Sequence, residues 1–219
     1  MIFTIPNLLS VEELETIMTT LADSEFVAGK LTAGRQAKLV KNNQQVKSGT
    51  LESQKLKQIV QDALKKNTLF QAGIRPKKIH SLLFSRYDAG MSYGRHSDNA
   101  LMGEWRSDVS WTIFLNDPLS YKGGELAIEG ADDEKYYKLA AGSAVFYPSS
   151  TLHRVDPVTE GTRFVAVGWV QSRIRDPGDR ELLFDLDTAK RGIFAKYGKI
   201  PEVDLLGKSL SNLLRKWAE

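Results

Sequence analysis

Cysteine is absent from this chain and histidine is scarce: its 219 residues include three histidines and no thiol. The lack of cysteine excludes disulfides, cysteine-ligated zinc or iron–sulfur sites, and a cysteine nucleophile. Any metal site must therefore be built from carboxylates and from His80, His96 and His153. With so few imidazoles, each histidine can be weighed separately.

Long uncharged apolar runs are also lacking. None approaches the roughly 18–20 residues that a membrane span needs, and the longest candidate, Leu139 to Leu152, is interrupted by Gly142 and Pro148. The N-terminus lacks the basic region and apolar stretch of a secretory leader. We therefore predict a cytoplasmic protein without a membrane partner.

The chain also lacks a large net charge of either sign. Lys and Arg number 30 against 27 Asp and Glu, for a net charge of +3. Nucleic-acid-binding domains usually carry clustered basic stripes, so we predict no nucleic-acid partner. Hydrophobic residues make up 42% of the chain, which is enough for a packed core. Nothing in these patterns specifies an oligomeric state.

Helical patterns lie at both ends of the chain. Ser10 and Glu13 form a capping box, which satisfies free amide groups at a helix start. An apolar stripe at helical spacing follows at Leu14, Ile17, Met18 and Leu21. A second stripe, from Leu56 to Leu64, predicts another helix. Helical periodicity returns after Asp176 and predicts a helical C-terminal extension.

The middle of the chain has the texture of an antiparallel β structure. Short β-rich runs alternate with turn residues, a pattern typical of a sandwich or jelly roll rather than of alternating β/α units. The predicted strands are Ile79–Tyr87, Val109–Asn116, Glu125–Glu129, Tyr136–Leu139, Ser143–Tyr147 and Arg163–Gln171. We therefore predict an α+β protein with a β core over residues 77–175, preceded by a helical support region over 1–76 and followed by helices over 176–219.

The segment Gly29–Gly49 is basic and contains no acid. Its cations include Arg35, Lys38, Lys41 and Lys47. Two interpretations are open: a solvated loop or edge strand, or a segment that contacts substrate.

One stretch concentrates the residues that could carry chemistry. His96 and Asp98 are separated by one residue, so in extended backbone both side chains point to the same face and could share one metal ion. His153 follows a predicted strand and could supply a third ligand. Two histidines and one carboxylate form the facial triad that leaves coordination positions open on Fe(II).

Arg163 stands ten residues after His153, at the head of the apolar run Phe164–Val170. Period-2 alternation puts Arg163 on the same face as Val165, Val167 and Trp169. A buried guanidinium requires an anion, and its planar fork suits a carboxylate. That anion could be a distant Asp or Glu, or the carboxylate of a ligand.

These residues and spacings resemble the Fe(II)/2-oxoglutarate-dependent dioxygenases of the prolyl-4-hydroxylase-like branch, and in particular the bacterial PKHD-type hydroxylases. The triad and Arg163 carry most of the resemblance. Further motifs that carry it are Tyr87-x-x-Gly90-x-x-Tyr93, Gly123-Gly124-Glu125-Leu126, the run from Ala141 to His153, and the tail from Arg180 to Asp187.

The resemblance implies a double-stranded β-helix (jelly roll) core with N-terminal buttressing helices. It implies that His96, Asp98 and His153 bind Fe(II), while Arg163 pairs with the distal carboxylate of 2-oxoglutarate. It also implies oxygen as cosubstrate, ascorbate as a reductant, and decarboxylation of 2-oxoglutarate to succinate as a substrate is hydroxylated. The substrate is unspecified: a peptidyl proline or a small molecule.

The chain departs from the family pattern at one position. Many relatives have a tyrosine that helps to hold the distal carboxylate where this chain has Phe114, so we predict Tyr87 as its replacement. Tyr93 and Trp169 are predicted to be pocket walls, and His80 to be structural. Two alternatives are a zinc-dependent hydrolase and a non-catalytic binding module on the same fold.

Overall fold

The computed structural model describes residues 1–34 and 37–219, in a mixed fold of helices and antiparallel strands. The α-helices in this part of the chain are α1 Val11–Ala22, α2 Leu51–Lys66, α3 Thr68–Ile74, α4 Pro177–Tyr197 and α5 Pro201–Trp217. The strands are β1 Phe3–Ile5, β2 Phe26–Ala28, β3 Lys41–Asn42, β4 Gln44–Val46, β5 Pro76–Asp88, β6 Ser92–His96, β7 Leu101–Met102, β8 Trp105–Arg106, β9 Val109–Phe114, β10 Tyr121–Gly123, β11 Leu126–Glu129, β12 Glu134–Tyr137, β13 Ala144–Pro148, β14 His153–Val155 and β15 Val158–Ser172. Short 3-10 helices lie at Gly29–Thr32, Ala37–Leu39 and Pro118–Ser120.

Two antiparallel sheets form the centre of the molecule. The larger has the order β1-β13-β9-β15-β5-β4-β2, with β10 also paired to β15. The smaller has the order β12-β11-β14-β6-β3. β7 and β8 form a separate hairpin. The long strand β15 pairs with both β5 and β9, so it runs through the middle of the larger sheet.

The alternation of side chains along β15 separates two hydrophobic cores. Ala166 and Val170 belong to the core between the larger sheet and helices α1 to α3. Val165 belongs to the second core, together with Leu126 and Ile128 of the smaller sheet. The predicted face of Arg163 is therefore the one directed away from the helices and toward the smaller sheet.

The N-terminal helices form as their sequence predicts. Ser10 Oγ accepts from the Glu13 amide at 3.2 Å, and a Glu13 carboxylate oxygen accepts from the Ser10 amide at 2.9 Å, which confirms the capping box. Ile17 in α1 and Leu56 in α2 are fully buried against the larger sheet. Burial of each such side chain stabilises the fold by about 1.5–3 kcal/mol.

The basic segment Gly29–Gly49 is more ordered than a solvated loop. It contains two 3-10 helices and the strands β3 and β4. β3 is an edge strand, as one interpretation expected, but Lys41, Asn43 and Gln45 are buried. Its Arg35 lies outside the described residues.

The C-terminal helices α4 and α5 pack against each other. Ile174, Leu183 and Leu210 form a third, small core. Asp176 caps α4 by accepting from the Asp179 amide at 2.9 Å. No helix in the described part of the chain is long and apolar enough to cross a membrane.

Candidate functional site

The structure brings His96, Asp98 and His153 together. His96 ends β6 and His153 begins β14, and the two are cross-strand partners in the smaller sheet. The His96 Nε2 atom lies 4.0 Å from Asp98 Oδ1, and His153 Nε2 lies 3.8 Å from Asp98 Oδ2. One ligand atom from each residue lies within 4.8 Å of the other two. This arrangement could hold one metal ion.

Backbone contacts orient both imidazoles. The Nδ1 atom of His96 lies 2.8 Å from the Gly94 carbonyl, and that of His153 lies 3.0 Å from the Thr151 carbonyl. A carbonyl oxygen only accepts, so each Nδ1 carries the proton and each Nε2 presents a lone pair. Burial, followed by the proximity of His153, lowers the pKa of His96 to about 4, which keeps it neutral at pH 7.

Hydroxyl groups hold the carboxylate of the triad. Ser110 on β9 donates to Asp98 Oδ2 at 2.5 Å, and its oxygen lies 2.8 Å from that of Ser149. These contacts fix Asp98 by linking it to the larger sheet. Such outer partners typically tune a metal site almost as strongly as its direct ligands. Ser110 was not predicted from the sequence, because one serine within an apolar strand carries no distinctive pattern.

Aromatic rings pack against both histidines. The Tyr93 ring stacks on His96 with 3.7 Å between ring centres, and the Tyr147 ring meets His153 edge-on at 5.0 Å. Tyr93 therefore lies beside the triad, as a pocket wall would. Tyr147 was not predicted, although its period-2 spacing from Val145 on β13 puts it on the same inner face. Burial raises the pKa of Tyr147 well above its usual value.

Arg163 is buried without a counter-charge. Its side chain is among the largest that are fully enclosed, at 1% exposure, and its Nε and Nη1 atoms have no hydrogen-bond partner. The guanidinium carbon lies 5.1 Å from the centre of the Tyr87 ring and 5.4 Å from that of Phe114. None of the acids in the described ranges forms an ion pair with it. The anion that this position requires therefore has to come from a ligand.

Two further residues adjoin Arg163 and were not predicted for this role. Burial raises the pKa of Tyr121, and the neighbouring Arg163 guanidinium opposes that rise. Gly124 has a φ of +69°, and a Cβ atom built on it would come within 3.0 Å of Arg163 Cδ and 3.3 Å of the Tyr121 ring. The Gly-Gly motif thus leaves the space through which the arginine side chain passes.

The remaining predicted residues lie in different parts of the larger sheet. Tyr87 is the cross-strand partner of Arg163, and Trp169 shares the cavity with it. His80 is buried elsewhere, with Nε2 3.2 Å from the Arg106 carbonyl, and is not one of the described residues that line the cavity. Phe114 presents its ring face to Arg163. This contact does not require the hydroxyl group that a tyrosine would have.

A single cavity connects the triad with Arg163. It has a volume of about 690 Å³, and residues of the basic segment and of the β7–β8 hairpin contribute to its lining. Its lining includes all three triad residues, Arg163, Tyr87, Tyr93, Tyr147 and Trp169. The cavity thus contains the three clustered ligand atoms of the triad and the unpaired guanidinium of Arg163. The first could bind a metal ion, and the second could bind one end of a dicarboxylate whose other end reaches the metal. Ligand pockets of several hundred Å³ hold drug-sized molecules, so room remains for a substrate.

Comparison with known proteins points to one family. The 2OG-Fe(II) oxygenase superfamily matches residues 82–171, and the C-terminal domain of PKHD-type hydroxylases matches residues 178–219. A PKHD-type hydroxylase of Gloeothece citriformis is 65% identical over the full length of both chains. One from Picosynechococcus is 61% identical, again over both full lengths.

Solved structures share the fold at low sequence identity. A prolyl-4-hydroxylase of Pseudomonas putida is 22% identical with a TM-score of 0.54, covering 78% of this chain and 92% of its own. A Trichoplax adhaerens prolyl hydroxylase, solved with a peptide of the hypoxia inducible factor, is 15% identical with a TM-score of 0.56, covering 83% and 86%. The family match and the two full-length relatives confirm the predicted dioxygenase rather than the zinc hydrolase or the binding module. The chain belongs to the PKHD-type hydroxylases, within the oxygenases that depend on Fe(II) and 2-oxoglutarate.

Proposed function

We propose that His96, Asp98 and His153 hold the Fe(II) ion and that Arg163 pairs with the distal carboxylate of 2-oxoglutarate. One observation carries this assignment: a fully buried guanidinium without a counter-charge faces the same cavity as three clustered ligand atoms. A protein that bound only a metal would gain nothing from that arginine, because an uncompensated buried charge is destabilising. A dicarboxylate that reaches from the metal to the arginine accounts for both features.

When bound, the metal and 2-oxoglutarate would activate O2: one oxygen atom would enter succinate as 2-oxoglutarate loses CO2, and the other would become the hydroxyl group of the substrate. The chain supplies the geometry. Three protein ligands leave coordination positions open, and the Gly94 and Thr151 carbonyls keep each histidine aimed at the ion. Arg163 orients the cosubstrate, while the rings of Tyr87 and Phe114 keep water from its guanidinium.

The finer predictions from the sequence follow the same assignment. Tyr87 lies against Arg163 and is the proposed helper at the distal carboxylate, where the chain has Phe114 instead of tyrosine. Tyr93 and Trp169 are the proposed walls beside the iron and the substrate. The strands within residues 77–175 are the proposed double-stranded β-helix, with residues 1–76 and 176–219 as supporting regions. The first of these regions is not only helical, because its strands β1 to β4 extend the two sheets. Ascorbate as reductant and a cytoplasmic location remain predictions.

An anaerobic titration tests the assignment. The protein with Fe(II) and 2-oxoglutarate should develop a weak metal-to-ligand charge-transfer band in the visible, and His153→Ala should abolish it. Arg163→Ala should raise the 2-oxoglutarate requirement by about tenfold or more while Fe(II) affinity changes little. Arg154→Ala, which removes a partly exposed arginine paired with Glu134 and Asp156, is the matched control. A band that persists in His153→Ala, or equal losses for iron and 2-oxoglutarate in Arg163→Ala, would contradict these roles.

A further inference from the structure

Lys41 is a second buried cation in the cavity, and neither metal binding nor the pairing of 2-oxoglutarate with Arg163 uses it. It lies on the edge strand β3, is only 6% exposed, and is the cross-strand partner of Tyr93. Its ammonium nitrogen stands 5.2 Å from the centre of the Tyr93 ring, whose other neighbour is His96. Lysines are almost never this buried unless they are paired.

The polar contacts of Lys41 leave it only partly satisfied. Its ammonium donates one hydrogen bond, at 3.1 Å, to Thr32 Oγ1, and that hydroxyl in turn donates to Gln45 at 2.6 Å. An ammonium has three donors. No described acid forms an ion pair with Lys41, and residues 35 and 36 are Arg and Gln, which carry no carboxylate.

Close packing holds Lys41 in this position. Gly94 on β6 donates its amide to the Val40 carbonyl at 2.9 Å. A Cβ atom at Gly94 would come within 2.8 Å of Val40, so the chain just before β3 is in tight contact with β6. The backbone beside Lys41 is therefore fixed against β6.

The charges in the loaded cavity leave Lys41 unbalanced. This step rests on the proposed function. Counted together, the charges of Fe(II) and of the two 2-oxoglutarate carboxylates cancel, and Asp98 offsets only one of the two buried cations, Arg163 and Lys41. Asp98 is the only acid among the described residues that line the cavity. Lys57, the other lysine there, is half-buried on α2 and partly hydrated.

We propose that Lys41 binds a carboxylate of the substrate, and that the substrate is a small carboxylic acid whose hydroxylated carbon lies beside the iron. The ammonium would receive the anion that its burial requires, and its two free donors would bind the carboxylate oxygens. A free acid fits better than an acidic peptide, because the ammonium lies inside the cavity rather than on its rim. Lys41 and His96 both contact the Tyr93 ring, so a carboxylate held by the ammonium would lie close to the iron.

Binding of a simple acid tests this directly. The protein is labelled with ¹⁵N-lysine, loaded with 2-oxoglutarate and with Zn(II) as a diamagnetic substitute for iron, and titrated at constant ionic strength. The Lys41 ammonium resonance is assigned by its loss in Lys41→Arg. Propionate should shift this resonance saturably, at a concentration about tenfold or more below any effect of propionamide. Lys57→Met should leave the response unchanged.

Three results would overturn the proposal. They are the absence of a saturable shift with propionate, an equal response to propionamide, and tighter binding of a blocked tripeptide, acetyl-Gly-Asp-Gly-amide, than of propionate. Tighter binding of the tripeptide would show that Lys41 binds the side-chain carboxylate of a peptide. The charge-transfer band of Lys41→Arg with Fe(II) and 2-oxoglutarate reports separately on the proposed function. If that band is normal and the propionate response is missing, only the role of Lys41 fails.

Discussion

Arg163 and Tyr87 face each other across adjacent strands of the larger sheet, with the guanidinium carbon 5.1 Å from the centre of the tyrosine ring. The ring face offsets part of the buried charge, since cation–π contacts contribute about 0.5–2 kcal/mol. Two of the guanidinium nitrogens remain without an acceptor. If Arg163 has the proposed role, the ligand-free enzyme keeps a destabilising group in place for the cosubstrate.

Replacement of Arg163 should raise the stability of the ligand-free protein and weaken its binding of 2-oxoglutarate. Arg163→Met removes an uncompensated buried charge while filling similar space, so we expect the ligand-free protein to gain about 1–3 kcal/mol in free energy of unfolding. The same variant should need about tenfold or more 2-oxoglutarate to develop the charge-transfer band. Urea denaturation and the anaerobic titration measure the two effects. Arg154→Met, at a partly exposed site, should change neither by much. A clear loss of stability in Arg163→Met would contradict the prediction.

Gly124 gives a second prediction, about the path of the arginine side chain. A methyl group there would meet Arg163 Cδ at 3.0 Å and Val158 Cγ2 at 2.9 Å. We expect Gly124→Ala to destabilise the fold by about 1–3 kcal/mol and to raise the KM for 2-oxoglutarate by about tenfold or more, because the guanidinium is displaced.

Gly49→Ala is the matched control for this variant. Gly49 has a comparable φ of +89°, but a Cβ atom would meet nothing within 4 Å. Gly49→Ala should lower the free energy of unfolding by the backbone strain alone, about 1 kcal/mol. Its KM for 2-oxoglutarate should be unchanged. Equal KM values in Gly124→Ala and the wild type would mean that the glycine does not control the position of Arg163.

The sequence revealed the site mainly through residues whose chemistry is rare in this chain. With three histidines and one His-x-Asp motif, few triads could be formed, and the structure brings the predicted one together. Arg163 was identified because a charge interrupts an apolar strand. Ser110, Tyr121 and Tyr147 were missed, because serine and tyrosine are common in strands and their roles depend on neighbours distant in sequence.

The fold was predicted best where the pattern is local. The capping box of α1 and the long strand β15 follow from spacing along the chain. The short strands β3 and β4 have no such signal, since their residues are mostly polar. In addition, β3 pairs with residues about fifty positions away and β4 pairs with β5 residues about forty positions away. For the same reason the sequence described Lys41 only as part of a basic segment, although its burial depends on contact with β6.

Ser110 provides a third prediction, on metal affinity. Its hydroxyl donates to Asp98 at 2.5 Å, and loss of such an outer partner typically costs about 10–100-fold in metal affinity. Ser110→Ala should weaken Fe(II) or Mn(II) binding by that factor, measured by anaerobic titration. Ser107→Ala is the matched control, because Ser107 is also buried but its hydroxyl has no hydrogen-bond partner. Equal metal affinities in the two variants would show that Ser110 does not hold the carboxylate.

Lys41 gives a fourth prediction, on the pH dependence of stability in the metal-free protein. Burial lowers its pKa from 10.5 to about 8, and the facing carboxylate of Asp98 only partly opposes this. Between pH 8 and about 10 the unfolded chain then holds more protons on this lysine than the native protein does, so stability rises with pH. From pH 8 to 9.5 the gain is about 2 kcal/mol as an upper limit. Above pH 10 the buried tyrosines, whose pKa values burial raises, act in the opposite direction.

Comparison of lysine variants isolates this contribution. Lys41→Met should be more stable than the wild type at pH 7.5, because it lacks the desolvated ammonium, and the difference should shrink as the pH approaches 9.5. Urea denaturation of the metal-free proteins at several pH values gives both free energies. Lys57→Met removes the half-buried lysine of the same cavity, and its free energy of unfolding should change with pH as that of the wild type does. If the free energy of Lys41→Met also follows that of the wild type at every pH, Lys41 is hydrated in solution. It would then not be a buried group that binds a carboxylate.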